Sequence, residues 1–288
     1  MRDYVIYTDS GCDISPALLA EWGVPYKSLT FRFNGEEKEY ENGEMDVKEF
    51  YDRMRAGGVA KTAAINKESF AIAFREIVKG GKDILYIGFS SGLSTTYNSA
   101  RLAAEEVSAE YPDAKILAVD TLAASAGQGL LVYLAMEKKA EGATLEQCAA
   151  YIEETKLNMC HWFTVDDLVY LKRGGRVSAT AAFFGNALGI KPVMHVDNEG
   201  HLVNVMKVRG RRTAINTMAD KLVETALDAK NGKIYISHGD CREDADYLAT
   251  LIAEKCGGQV EIITDVGAVI GAHSGPGTLA LFFLGRER

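Results

Sequence analysis

Proline is scarce in this chain, 5 of 288 residues, while glycine stands at 28. The imbalance excludes stiff proline-rich linkers and predicts many tight turns between strands and helices. The five cysteines (Cys12, Cys148, Cys160, Cys241 and Cys256) lie far apart, with no C-x-x-C pair. Such spacing supports neither a disulfide framework nor a zinc site and points to free thiols in a reducing cytosol. No apolar run approaches the ~20 residues of a spanning helix. The opening MRDYVIYTDSGCD has no apolar signal core and reads as a first strand. A cytoplasmic location is therefore expected, with at most transient membrane contact. Basic excess is missing as well: 32 Lys+Arg against 40 Asp+Glu, net −8, argues against a general nucleic-acid binder. The chain has no G-x-x-x-x-G-K-S/T, which excludes a P-loop ATP site. His161, His195, His201 and His238 show no metal-ligand spacing, so no metal is expected.

What is present is the balance of a soluble globular protein, 47% hydrophobic and 25% charged, long enough for two domains. The charge is uneven. Residues 1–158 hold 17 basic and 25 acidic side chains, whereas residues 159–288 hold 15 of each. Within the second part, Lys172 to Arg212 contains eight basic residues and only two acidic ones. A basic face on an acidic protein is either solvation or a docking site for an anionic group or an acidic partner.

Short β-branched and aromatic runs end at small polar residues, and helical patterns follow. Tyr4–Tyr7 runs into Thr8-Asp9-Ser10, Ile84–Ile87 into Ser90-Ser91-Gly92, and Ile116–Val119 into Asp120-Thr121. Leu93, Tyr97, Ala100, Ala104 and Val107 repeat with helical spacing, as do Leu145, Cys148, Ala149 and Ile152. Leu122 to Met136 is apolar on nearly every side, which predicts a deeply buried helix. Continuous apolar strands alternating with helices imply a parallel, helix-covered sheet. Residues 28–60 break the rhythm: Phe31-Arg32-Phe33 before Asn34-Gly35 predicts a hairpin, and Glu36–Glu49 an exposed acidic excursion. From about residues 155–162 the pattern changes to α+β. Strands are expected at Phe163–Val165, Leu202–Val208, Ile234–Ile236, Val260–Ile263 and Leu279–Leu284. Amphipathic helices are expected around Ile215–Leu222 and Ala245–Ile252.

In an open parallel sheet, ligands gather at the carboxyl ends of strands, where helix N-termini present unpaired N–H groups. Three such ends bear hydroxyls: Thr8–Ser10, Ser90 to Thr96, and Asp120 to Ser125. Hydroxyls with helix amides suit a carboxylate or phosphate, and the same residues also serve as N-caps. One helix needs one cap, so the five hydroxyls Ser90, Ser91, Ser94, Thr95 and Thr96 exceed that need. Gly88-Phe89-Ser90-Ser91-Gly92 also matches the G-x-S-x-G of a hydrolase elbow. It makes Ser90 a candidate nucleophile of an acyl hydrolase, with His273 as base and Asp240 or Asp265 as acid. No H-G-G-G-like oxyanion segment precedes it. Ala272-His273-Ser274-Gly275-Pro276-Gly277 places the last histidine in a Gly/Pro turn, open to a structural or a ligand-contacting role. Asp166 to Ser178 reads as a short helix ending in a Gly-Gly turn with Lys172, Arg173 and Arg176. Lys191-Pro192 and Arg209–Arg212 follow. Ala181–Phe184 and Leu188–Ile190 put apolar bulk beside these cations, as an amphipathic ligand requires. A regulatory module for another small anion is a third class, distinguished by a small polar pocket.

Together, TDS at 8–10, KT at 61–62, SSGLSTTYNSA at 90–100, VDTLAASAGQG at 119–129, DDLVYLKRGGRVS at 166–178, IKP at 190–192 and AHSGPG at 272–277 resemble the DegV family of bacterial fatty-acid-binding proteins. The resemblance spans nearly the whole chain, in order. It implies a two-domain α/β fold: a parallel-sheet domain, 1–158, with the head-group turns, and an α+β domain, 159–288, covering an acyl chain. It further implies no catalytic activity and no cofactor, only a bound long-chain fatty acid such as palmitate. The family is similar to the binding component of bacterial fatty acid kinase, which presents the carboxylate to a separate ATP-dependent subunit. By the resemblance, Thr62, Ser94 and His273 meet the carboxylate and Arg176 sits at the mouth. Ser91 and Thr96 are further head-group candidates, and Arg173 and Arg209 join Arg176 for partner docking. Two residues depart from the pattern: Ala63 where the family usually has Ser, and Thr95 where it usually has Gly.

Overall fold

A computed structural model describes residues 2–177 and 189–288. The chain begins β1 (Tyr4–Asp9), α1 (Pro16–Glu21), β2 (Tyr26–Lys27), β3 (Thr30–Phe33), β4 (Tyr40–Glu41), α2 (Val47–Arg55) and β5 (Ala60–Ala63). It continues with α3 (Lys67–Lys79), β6 (Asp83–Gly88), α4 (Thr96–Glu110), β7 (Ile116–Asp120), α5 (Ala126–Ala140) and α6 (Leu145–Thr155). Next come β8 (Met159–Thr164), α7 (Val169–Arg173), β9 (Ile190–Val196), β10 (Leu202–Arg209) and α8 (Arg211–Thr225). The last elements are β11 (Ile234–His238), α9 (Arg242–Cys256), β12 (Val260–Asp265), α10 (Ala268–Ser274) and β13 (Leu279–Leu284).

The expected parallel sheet has the order β2-β1-β6-β7 with every neighbouring pair parallel. Strands β1, β6 and β7 carry continuous apolar runs because both faces of the sheet are covered. Tyr7, Ile84 and Tyr86 meet Phe70 and Phe74 of α3 and Ala100 and Val107 of α4. Ile6, Leu85 and Ile87 on the other face meet α5 and α6. Thr144 and Gln147 start α6 with a reciprocal capping box.

The second sheet has the order β10-β9-β8-β13-β11-β12, antiparallel except between β11 and β12. Ile215, Met218 and Leu222 of α8 and Leu248 and Ile252 of α9 cover one face. Helix α5 covers the other, and so lies between the two sheets. That position explains its apolarity: Leu130, Leu131, Val132 and Ala135 are all fully buried. Strands of the parallel sheet end before residue 121 and those of the mixed sheet begin after 158, yet one hydrophobic core runs through α5 from one to the other.

Three details differ from the sequence reading. The strand anticipated at Phe163–Val165 begins at Met159. Strand β9 was hidden by Lys191-Pro192; its lysine reaches Asp166 at 2.8 Å. The acidic excursion is mostly exposed but pinned by buried Met45, and it leads into α2, which buries Phe50, Tyr51 and Met54. The expected hairpin forms between β3 and β4, within a third sheet of order β4-β3-β5. The segment Ala181–Phe184, Leu188 and Ser178 lie outside the described residues. Among the described residues, no helix is long and apolar enough to cross a membrane.

Candidate functional site

The carboxyl ends of β6 and β7, the end of β5, helix α10 and one face of the mixed sheet enclose a cavity of about 400 Å³. Its walls are mainly apolar: Leu29, Phe89, Phe163, Val269, Ile270 and Phe282 among them. Register explains which mixed-sheet residues face it. Ser237 of β11, Ala280 of β13 and Phe163 of β8 form one cross-strand row, and Phe282 and His161 the adjoining pair two residues along. All five line the cavity.

Thr62, Ser94, Ser91, His273 and Arg176 line the same cavity. Thr62 Oγ1 lies 2.8 Å from His273 Nε2, joining residues 211 positions apart. His273 is not in the Gly/Pro turn, as the sequence reading had it, but in the last turn of α10, with Gly275 closing the helix at φ 83°. Burial, and then the positive Arg176, pushes its pKa down to about 4, so the ring is neutral at neutral pH. Arg176 donates through Nε to Leu93 O at 3.2 Å and through Nη1 to Gly174 O. A guanidinium stays charged despite its burial, so Arg176 supplies the positive charge here. The two Gly-rich segments interlock. A Cβ on Gly174 would collide with the His273 ring, one on Gly275 with Tyr170, and one on Gly277 with Asp166.

The hydroxyl cluster divides its labour. Ser94 Oγ accepts the Thr96 N–H at 3.2 Å and lies 2.9 Å from Thr96 Oγ1. With Thr96 donating, Ser94 keeps its own proton for the cavity. Thr96 itself is fully buried and does not line the wall, so it positions Ser94 instead of meeting a head group. Ser90 is fully buried too: its hydroxyl donates to Gly200 O at 3.0 Å and accepts from Gly92 N at 3.1 Å. The hydrolase arrangement is therefore not assembled. His273 faces Thr62, Asp240 pairs with Arg55 at the surface, and Asp265 lies 3.5 Å from His238. Thr8–Ser10 is likewise structural. Thr8 donates to Ile87 O, Ser10 accepts from Leu29 N, and buried Asp9 accepts from Gly11 N, Phe89 N and Tyr86 Oη.

Part of the basic segment is tied to neighbouring side chains. Lys191 and Arg211 reach Asp166, Arg211 also reaches Asp244, and Arg212 stacks over Tyr247. Arg173 is exposed beside the Tyr170 ring, and Arg209 is exposed at the end of β10. Neither lines the cavity.

Sequence reasoning missed three residues of the site. His161 was weighed only as a metal ligand. Its Nδ1 contacts Met159 O at 2.9 Å, which requires the proton there and leaves Nε2 to accept from Ala124 N. Asp13 is buried and accepts from Ser125 Oγ at 2.6 Å, and Ser125 in turn lies 2.9 Å from Ser237 Oγ. No local pattern distinguishes Asp13 or Ser237 from turn and strand residues.

The chain matches the family model described as uncharacterised protein, DegV family, over residues 3–286. It belongs to the DegV family. A DegV domain-containing protein of Clostridium perfringens is 43% identical over 286 residues, 99% of this chain and 98% of that one. A solved DegV-family structure from Thermus thermophilus, described as binding fatty acid, has 30% identity and a TM-score of 0.89, covering 99% and 100% of the two chains. A stearic-acid-binding protein from Eubacterium ventriosum has 26% identity and a TM-score of 0.88, covering 98% of each. A parallel sheet plus a second domain of mixed sheet and helices is the architecture of the DegV structures. Both departures of this DegV chain, Ala63 and Thr95, face the cavity.

Proposed function

We propose that this chain binds a long-chain fatty acid such as palmitate between domains 1–158 and 159–288. It presents the carboxylate to a separate ATP-dependent fatty acid kinase for acyl-phosphate formation, in the cytoplasm and without a cofactor. The observation that carries the reading is one apolar cavity with Thr62, Ser94, neutral His273 and Arg176 on its wall. Neutral donors and one guanidinium suit a carboxylate, because a buried anion needs hydrogen bonds and charge compensation. Ser91 and Thr95 add hydroxyls beside them. The tail supplies affinity, about 0.8 kcal/mol for each CH₂ taken from water. The head group sets orientation. Exposed Arg173 and Arg209, with Arg176 at the mouth, form the face that meets the kinase. The kinase is the partner; nucleic acid is not.

Native mass spectrometry of gently purified protein, followed by palmitate and stearate uptake, tests the reading. Retained acid or uptake supports it; an empty protein that takes up neither overturns it. Replacing Thr62 and Ser94 together by Ala should weaken uptake about tenfold with the fold intact, each lost hydrogen bond contributing ~0.5–1.5 kcal/mol. Wild-type affinity in that double variant would remove the head-group assignment.

A further inference from the structure

The cavity has a second polar region, built from other parts of the chain. Ser125 stands at the start of α5 with φ 54° and ψ −147°, a backbone conformation that a side-chain-bearing residue rarely adopts. Strain of this kind persists only where surrounding bonds hold it, and it concentrates at ligand-contacting positions. Here Ser125 N donates to Gly11 O at 2.8 Å, and its hydroxyl donates to Asp13 Oδ2 at 2.6 Å. Asp13, itself at φ 49°, uses its other oxygen to accept from Gly267 N at 3.0 Å. Among the described residues no cation pairs with it, and burial pushes its pKa up to about 7.

Counting protons shows what is left over. Ser125 has one, given to the Asp13 carboxylate, so Ser237 donates to Ser125 and retains a free acceptor position. With Asp13 protonated the chain runs the other way: Asp13 donates to Ser125, Ser125 to Ser237, and Ser237 has its proton free. In either state Ser237 has capacity that the protein does not fill, and it lines the cavity. Ser274, 5% exposed, lines the cavity, and its hydroxyl has no partner among the described residues. A plain hydrocarbon tail leaves such hydroxyls unmet, and a buried polar group without a partner is unfavourable. A neutral donor–acceptor on the ligand answers both orientations of the relay, whereas a second carboxylate would meet Asp13 without a countercharge.

We propose that Asp13, Ser125 and Ser237 form a second hydrogen-bonding pole of the cavity, and that it selects a fatty acid bearing a hydroxyl on its chain. The inference rests on the fatty-acid reading above.

The test compares palmitate with its monohydroxy isomers, the hydroxyl moved along the chain, by displacement of a fluorescent fatty acid from the delipidated full-length protein. One short run of positions should bind about tenfold or more tightly than the other isomers. In Ser237→Ala that preference should collapse, read as the ratio of each isomer's affinity to palmitate's. Ser237→Cys, which keeps the volume and weakens the hydrogen bond, repeats the measurement should the alanine variant not fold. Equal weakening at every position, or a ratio unmoved by both variants, overturns the pole while palmitate binding leaves the carrier standing. Failure to bind palmitate or any isomer overturns the carrier reading and this inference with it.

Discussion

The two polar regions of the cavity follow opposite electrostatic plans. At Thr62 and His273, a neutral imidazole sits beside a guanidinium, so the region has positive charge and, among the described residues lining it, no acid. At Asp13, Ser125 and Ser237, a buried carboxyl is held by hydroxyl and amide donors, with no cation paired to it among the described residues. Burial acts on both, and in each it favours the uncharged form: it lowers the histidine pKa and raises the aspartate pKa. What differs is the neighbour. Arg176 makes the first region receptive to an anion, and the absence of a paired charge makes the second receptive only to a neutral oxygen.

Stability against pH gives the largest expected contrast. His273 has a folded pKa near 4 against an ordinary 6.5, so the unfolded chain binds more protons between those values and stability is lost as pH falls through them. The full effect is about 3 kcal/mol, and His273→Gln should lack that acid limb. Asp13 runs the other way. Its folded pKa near 7 lies above the ordinary 3.8, so the folded chain holds the extra proton and stability is lost as pH rises through that window. About 4 kcal/mol is at stake, and Asp13→Asn should flatten that limb in denaturant melts across the range. If both variants alter the same limb, the two regions are not electrostatic opposites.

Gly174→Ala comes next. Its methyl would meet the His273 ring, so head-group affinity should fall ten- to a hundredfold, matching an overpacking penalty of ~1–3 kcal/mol. Palmitate titration of that variant, with a melt alongside, measures it. Unchanged affinity would mean that the ring position does not matter to the ligand. The smallest effect on binding belongs to the surface. Arg173→Glu with Arg209→Glu should change palmitate uptake by less than about twofold, since neither side chain lines the cavity. The same pair should reduce kinase-coupled acyl-phosphate formation about tenfold, because reversing rim charges slows encounter with an acidic partner. A kinase assay with unaltered coupling would leave this face to solvation alone.

Much of the scaffold was legible in the chain. Tyr4–Tyr7, Ile84–Ile87 and Ile116–Val119 show continuous apolar runs because parallel strands are buried on both faces. The buried helix expected over Leu122 to Met136 begins only at Ala126, and from there to Met136 it is apolar on nearly every side because α5 lies between two sheets. Strand β9 was not legible, since Lys191 and Pro192 interrupt its pattern and the lysine finds its acid partner, Asp166, only in space. The site was legible in part. The serine-rich turn stood out, but capping and ligand contact use the same residues, and only the folded arrangement separates buried Ser90 and Thr96 from cavity-lining Ser94. Thr62 has no local signal at all and entered through the family resemblance. Asp13 and Ser237 carry no pattern that sets them apart from ordinary turn and strand positions, and His161 stood out only as a histidine without metal-ligand spacing.

The sequence by itself determined the kinds of layer, the apolar faces and the family, because periodicity and ordered motifs are local properties of the chain. The tertiary structure alone decided which hydroxyls face the cavity, that His273 meets Thr62 and not Ser90, and that Asp13 is buried beside Ser125. Those outcomes depend on distances between residues more than a hundred positions apart, and on the burial that shifts their protonation. Neither quantity is written in any short stretch of sequence.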